Sequence, residues 1–165
     1  MQYQFEKIKK GEYRVFGRDY DAVHLVDEAR AKEIVAGLEK AWLDNQKLVK
    51  IAKLNANINA AYQAYLKKYP DVEIRTFEEK AKESFLVKKD PNTPCEDTPL
   101  LCKLTANGTV EERNALAGQV FEKVLENAAL EKWGVVTRDA IKAASDETAL
   151  EQISIEIPNL GGGNA

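Results

Sequence analysis

Few side chains in this chain are of the kinds that do covalent chemistry: two cysteines, Cys95 and Cys102, and one histidine, His24. Cys95 with His24 is the nucleophile–base pair the composition offers. Glu96 and Asp97 follow Cys95 directly, and such neighbours raise a thiol pKa, whereas activation needs an electropositive setting. A single histidine excludes every site that draws two from one chain, His-pair metalloproteases among them. The C-x6-C spacing matches no common zinc or redox motif, and two thiols do not complete a four-ligand structural site. The short proline-bearing loop puts a disulfide within geometric reach, but a cytosolic compartment favours two reduced thiols, and that is the expectation. Glu78, Glu79 and Glu83 share one helical stretch, with Glu79 and Glu83 four apart. Lys80, Lys82, Lys88 and Lys89 interleave with them, the pattern of a solvated face rather than of a metal site. No GxGxxG, Walker or GxSxG segment occurs. The chain is therefore expected not to be an enzyme, with no catalytic residue, no cofactor and no metal.

Charge is unevenly spread. Between Asn45 and Pro70 there are five lysines (Lys47, Lys50, Lys53, Lys67, Lys68) and no acid, while Asp139 to Glu156 carries five acids against Lys142 alone. Lys47, Lys50 and Lys53 recur every third residue and so form a stripe on a helix. Such a stripe suits an acidic protein surface, and the acidic C-terminal stretch of the same or another copy would serve. Farther along, Asn55, Asn57 and Asn59 alternate with small and apolar residues, and an asparagine in a helix seam can fix register. Tyr62, Tyr65 and Tyr69 follow at spacings of three and four, typical of a core or an interface. The expected partner-binding residues are Lys47, Lys50, Lys53, Tyr62 and Tyr65.

These residues need elements to position them. Residues 3–26 show period-two alternation in three short runs separated by Gly11 and by Gly17-Arg18-Asp19, which predicts an antiparallel meander. Asp27 is a candidate N-cap. From Glu28 to Lys68 there is no proline and apolar residues recur at helical spacing, so one helix of about 60 Å, or two broken near Asp44-Asn45-Gln46, is expected. Val72 to Arg75 reads as a short strand. Thr76-x-x-Glu79 and Thr109-x-x-Glu112 read as capping boxes opening helices over 76–87 and 109–133. Gly134 reads as the C′ residue of the second, with a further helix from Thr137 to Ala144. Three prolines make 90–99 an extended loop, and Leu100 to Leu104 reads as extended. Ile153, Ile155 and Ile157 alternate with Ser154 and Glu156, a strand expected to join the N-terminal sheet. His24 is expected on a sheet face.

The expected class is α+β: a small antiparallel sheet, made of the N-terminal meander and the C-terminal strand, with one long helix packed on two or three shorter ones. A single domain over 1–160 with the proline-rich loop at 90–99, and a flexible Gly-rich tail at 161–165, fits the 165-residue length. With 27 acids against 24 bases and net charge −3, a nucleic-acid partner is not expected. No segment has the roughly 18 consecutive apolar residues of a membrane span, and residues 1–10 lack an apolar signal region, so a cytoplasmic protein is expected. The layout of compact sheet, long helix and short tails resembles that of small tailed-phage proteins, without a motif matched residue by residue; the resemblance implies a virion or virion-assembly role. The functional expectation is a non-enzymatic structural or assembly component of a larger complex, self-associating or docking on another protein. The alternative is a regulatory binding protein, an inhibitor or adaptor that blocks a partner.

Overall fold

The computed structural model describes residues 2–106 and 108–158. Asn107 and the expected tail at 161–165 lie outside them. Three strands open the chain: β1 (Gln4–Lys9), β2 (Glu12–Gly17) and β3 (Tyr20–His24), antiparallel in the order β1-β2-β3. The alternation read from the sequence is kept, for Tyr13 and Val15 are buried while Arg14 is exposed. Gly17 is needed at its turn. Its φ is +136°, and a Cβ there would lie 2.6 Å from the Gln2 carbonyl oxygen.

Helix α1 (Glu28–Leu66) runs unbroken for 39 residues. Nothing at Asp44-Asn45-Gln46 interrupts it, because these residues cost only tenths of a kcal/mol each in a helix otherwise rich in good formers. Asp27 caps it, accepting from Arg30 N–H at 2.8 Å. Then come α2 (Asp71–Ile74), α3 (Phe77–Lys89), α4 (Pro99–Leu104), α5 (Val110–Ala143) and α6 (Glu147–Gln152). The protein is α+β, a three-stranded antiparallel sheet with a long helix packing with shorter ones.

Several local expectations are corrected. The strand read at 72–75 is the short helix α2, opened by Pro70. Thr76 precedes α3 but makes no cap; its hydroxyl donates to the Glu73 carbonyl at 2.8 Å. Thr109 does cap, accepting from Glu112 N–H at 3.2 Å. The extended piece read at 100–104 is α4, with Pro99 in its first turn, where a missing N–H costs nothing. Gly134 does not end a helix. It lies inside α5, where the side chain of Ile58 comes so near that an added Cβ would sit 2.8 Å from it.

The C-terminal strand is absent from the sheet, which has three strands. Ile153, Ile155 and Ile157 are still half-buried and Ser154 and Glu156 exposed, so the period-two alternation is kept without a strand. Its backbone is met differently: the Ile155 carbonyl accepts from Asn57 Nδ2 at 3.0 Å. Cys95 and Cys102, expected reduced, form a disulfide with Cα atoms 5.8 Å apart.

Two compact units emerge, Met1–Lys53 with Ala140–Ser154, and Leu54–Asp139 with the chain from Ile155. In the first, Val15, Ala31 and Ile141 are fully buried. Arg18 organises its edge. It adopts φ 49°, rare for a non-glycine residue, and its guanidinium lies 3.3 Å from the Trp42 ring centre, 3.2 Å from Glu147 and 3.7 Å from Glu39. In the second, Val87, Leu101 and Ala117 form a core with Leu116 packed against it.

Within the second unit α1 and α5 meet antiparallel. Asn55 Oδ1 accepts from Arg138 Nη1 at 3.0 Å, and three residues on, Ile58 meets Gly134. Asn55 and Asn57 thus have partners in the chain itself, which offsets their poor helix propensity.

Candidate protein-docking cleft

The last turns of α1 carry Tyr62 and Tyr65 at helical spacing, and Tyr69 follows in the turn after it. Short i→i−3 bonds close that turn, Lys68 N–H to Tyr65 and Tyr69 N–H to Leu66, and swing the third ring in line with the first two. The Tyr65 and Tyr69 ring centres are 5.2 Å apart, and Phe77 meets Tyr69 edge-to-face at 5.2 Å. Four aromatic rings therefore make one wall. Leu116, Val120 and Val124 of α5, with Leu104 at the end of α4, make the rest of an open cleft of about 540 Å³. A smaller cavity of about 180 Å³ shares Tyr62, Tyr65 and Asn127 with it and is lined further by Leu130, Ile157 and Pro158.

Charged side chains line the cleft together with the apolar ones. Lys80 lies 5.5 Å over the Phe77 ring and 3.6 Å from Glu73, while Lys123 pairs with Glu126 at 3.0 Å. Glu78 and Glu122 line the cleft as well. Burial, and secondarily hydrogen bonding to Tyr69, push the Tyr65 phenol well above the ordinary tyrosine value. Tyr62 is 45% exposed, so its ring is available to a partner.

The expected partner-binding residues fall in two places. Tyr62 and Tyr65 line the cleft, in the second unit, whereas Lys47, Lys50 and Lys53 belong to the first. Lys47 Nζ donates to the Lys142 carbonyl at 3.0 Å, and Lys50 Nζ donates to the carbonyls of Leu150 and Glu151. Both lysines serve the C-terminal ends of α5 and α6, where orphan carbonyls and the helix dipole favour a cation. Lys53 is exposed. Phe77, Leu116, Val120 and Lys123 were not singled out as partner residues. Leu116, Val120 and Val124 recur every fourth residue along α5, a sequence signal for that part of the lining; Phe77 and Lys123 carry none.

The candidate chemistries do not assemble. Cys95 is in the second unit and bonded to Cys102, and His24, in the first, accepts or donates to the Tyr20 hydroxyl at 2.9 Å. Glu79 pairs with Lys82 at 3.4 Å on the surface. Glu83 is buried instead, its two oxygens accepting from Leu100 N–H at 3.0 Å and Leu101 N–H at 2.7 Å, which caps α4. Among the described residues no group of three or more His, Cys, Asp or Glu side chains is placed to hold a metal ion. Nor is any helix long and apolar enough to cross a membrane. No family model, no curated protein and no solved structure matches the chain.

Proposed function

We propose that the chain is a non-enzymatic structural or assembly component that self-associates through the cleft of Tyr62, Tyr65, Tyr69 and Phe77. The observation that carries this reading is the aromatic wall itself, four rings lining an open groove with apolar and charged side chains. Tyrosine is enriched at binding hot spots because it brings large apolar area with little conformational freedom to lose. The lining mixes signs, with Glu73, Glu78 and Glu122 beside Lys80 and Lys123. A surface carrying both signs can meet its own copy about a two-fold axis, each acid facing a base. A virion or virion-assembly role, and a cytoplasmic or virion location, extend the same reading.

The test is molar mass by light scattering across a concentration series, for wild type and for Tyr62→Ala. Mass rising with concentration in the wild type and not in a folded Tyr62→Ala supports the reading, since truncating a central tyrosine costs an interface about 2 kcal/mol or more. A monomer at every concentration refutes self-association. The chain would then be read as the inhibitor or adaptor, to be tested by what copurifies with it and is lost from Tyr62→Ala.

A further inference from the structure

We propose that Cys95–Cys102 is an exchangeable, redox-active disulfide, in which an incoming dithiol attacks Cys95 and Cys102 leaves as a thiolate held by Arg113. The decisive observation is the setting of Arg113 on α5. The residue is 3% exposed. Its Nη1 lies 3.7 Å from Cys95 Sγ, 3.6 Å from Cys102 Sγ and 3.4 Å from Thr98 Oγ1, and its Nη2 lies 3.4 Å from the Pro91 carbonyl oxygen. Its Nε is buried without a partner. Every one of these acceptors is neutral, and disulfide sulfurs are weak acceptors. A buried cation is normally matched by an anion, because desolvation otherwise disfavours it. Reduction creates that anion at 3.6 Å.

The two sulfurs are unequal. Cys95 is an exposed loop residue and Cys102 is half-buried in α4. The Thr98 hydroxyl lies 3.8 Å from Cys102 Sγ and can donate to it once it is a thiolate. Other charges nearby are Glu83 of α3, turned onto the first N–H groups of α4, the exposed Glu96 and Asp97 of the loop, and the exposed Lys103 of α4. The exposed acids are screened by water, whereas Arg113 is not.

The step balances as follows. A thiolate of the dithiol forms a bond to Cys95 Sγ, the Cys95–Cys102 bond breaks, and its electron pair leaves on Cys102. The second thiol of the reductant, deprotonated, then attacks its own sulfur in the mixed disulfide and releases Cys95. The dithiol becomes a disulfide and two electrons pass to the cysteine pair; of the dithiol's two protons one goes to Cys95 and the other to solvent, Cys102 remaining a thiolate. A leaving thiol of low pKa accelerates such exchange.

The experiment maps alkylation of each cysteine by iodoacetamide in the dithiothreitol-reduced full chain, from about pH 5 to 9. The expected midpoint for Cys102 lies below the ordinary thiol value of about 8.5. Arg113→Gln should raise it, slowing alkylation at acid pH about tenfold for each unit, and Arg113→Lys should preserve most of the effect. Oxidised wild type treated with glutathione, then alkylated, should carry glutathione on Cys95 and the alkyl group on Cys102. A Cys102 midpoint at or above the free-thiol value, or glutathione on Cys102, overturns the proposal. If Arg113→Gln fails to fold by circular dichroism, the wild-type profile and Arg113→Lys still decide.

Discussion

Ile58 on α1 rests against the bare backbone of Gly134 on α5, where a Cβ would come within 2.8 Å of its terminal methyl. A glycine in mid-helix costs about 1 kcal/mol against alanine, so its presence there answers to the neighbouring helix rather than to its own. Gly37, inside α1, has open space where its Cβ would be. The two glycines are alike locally and opposite in surroundings.

Gly37→Ala is therefore expected to stabilise the protein by about 0.5–1 kcal/mol. Gly134→Ala should gain less, because the Ile58 methyl has to move, and Gly134→Leu should lose roughly 1–3 kcal/mol through overpacking. Urea denaturation midpoints of the three variants check this. Equal gains at positions 37 and 134 would show that α1 and α5 do not approach so closely.

Glu83 is 2% exposed and accepts both leading N–H groups of α4. Glu83→Ala strands those donors and is expected to cost about 1–3 kcal/mol, with Glu83→Gln, which keeps one acceptor, costing less. Hydrogen exchange at Leu100 and Leu101 should accelerate in the alanine variant. Unchanged exchange there would mean that water or another group serves the cap equally well.

Lys50 bonds the last carbonyls of α6. Lys50→Met keeps the stem and removes the cation, and should weaken α6 by about 0.3–1 kcal/mol. Faster amide exchange across Glu147–Gln152, with α3 unaffected, is the expected signature. If Lys50→Met instead leaves α6 protected and only slows association with a partner, the lysine belongs to an interaction surface.

Tyr65 has its phenol pKa raised, first by burial and then by Tyr69. The folded state thus holds this proton more tightly than the unfolded chain does. The stabilisation is whole below the ordinary value of 10.0 and is lost as pH rises through the higher folded value. Wild type should lose stability faster above pH 10 than Tyr65→Phe, whose ring does not titrate. Parallel melting temperatures from neutral to alkaline pH would contradict it.

What the sequence revealed depended on whether local and long-range forces agreed. The meander was legible because Tyr13 and Val15 both alternate in sequence and face inward, and Gly17 marks a turn only glycine fits. The length of α1 was legible because no residue in it opposes a helix. The tyrosines of the cleft were legible as a stripe, though Phe77 and α5 complete the wall only through tertiary packing. Gly134 misled because its cause lies on another helix. Residues 153–158 misled because alternation reports an extended, half-buried chain and is silent on its partner, here the Asn57 amide rather than a strand. At 100–104 the sequence read as extended because three prolines precede it, yet Pro99 sits in the first turn of α4, where its missing N–H costs nothing. The disulfide was missed because compartment, not spacing, decided the reading of Cys95 and Cys102.

The first unit is discontinuous, closing only when Ala140–Ser154 joins Met1–Lys53. Arg18 has its Glu147 partner 129 residues downstream, and Lys50 waits for carbonyls 100 residues on. Synthesis on the ribosome delivers the N-terminus first, and domains generally fold in that order. Here neither unit is one continuous run of chain. The meander emerges first, yet its unit awaits Ala140–Ser154, made only after Leu54–Asp139, and the second unit in turn awaits the chain from Ile155. A nascent chain halted before Glu147 would leave the N-terminal sheet waiting, with Arg18 holding the Trp42 ring and Glu39 but not Glu147.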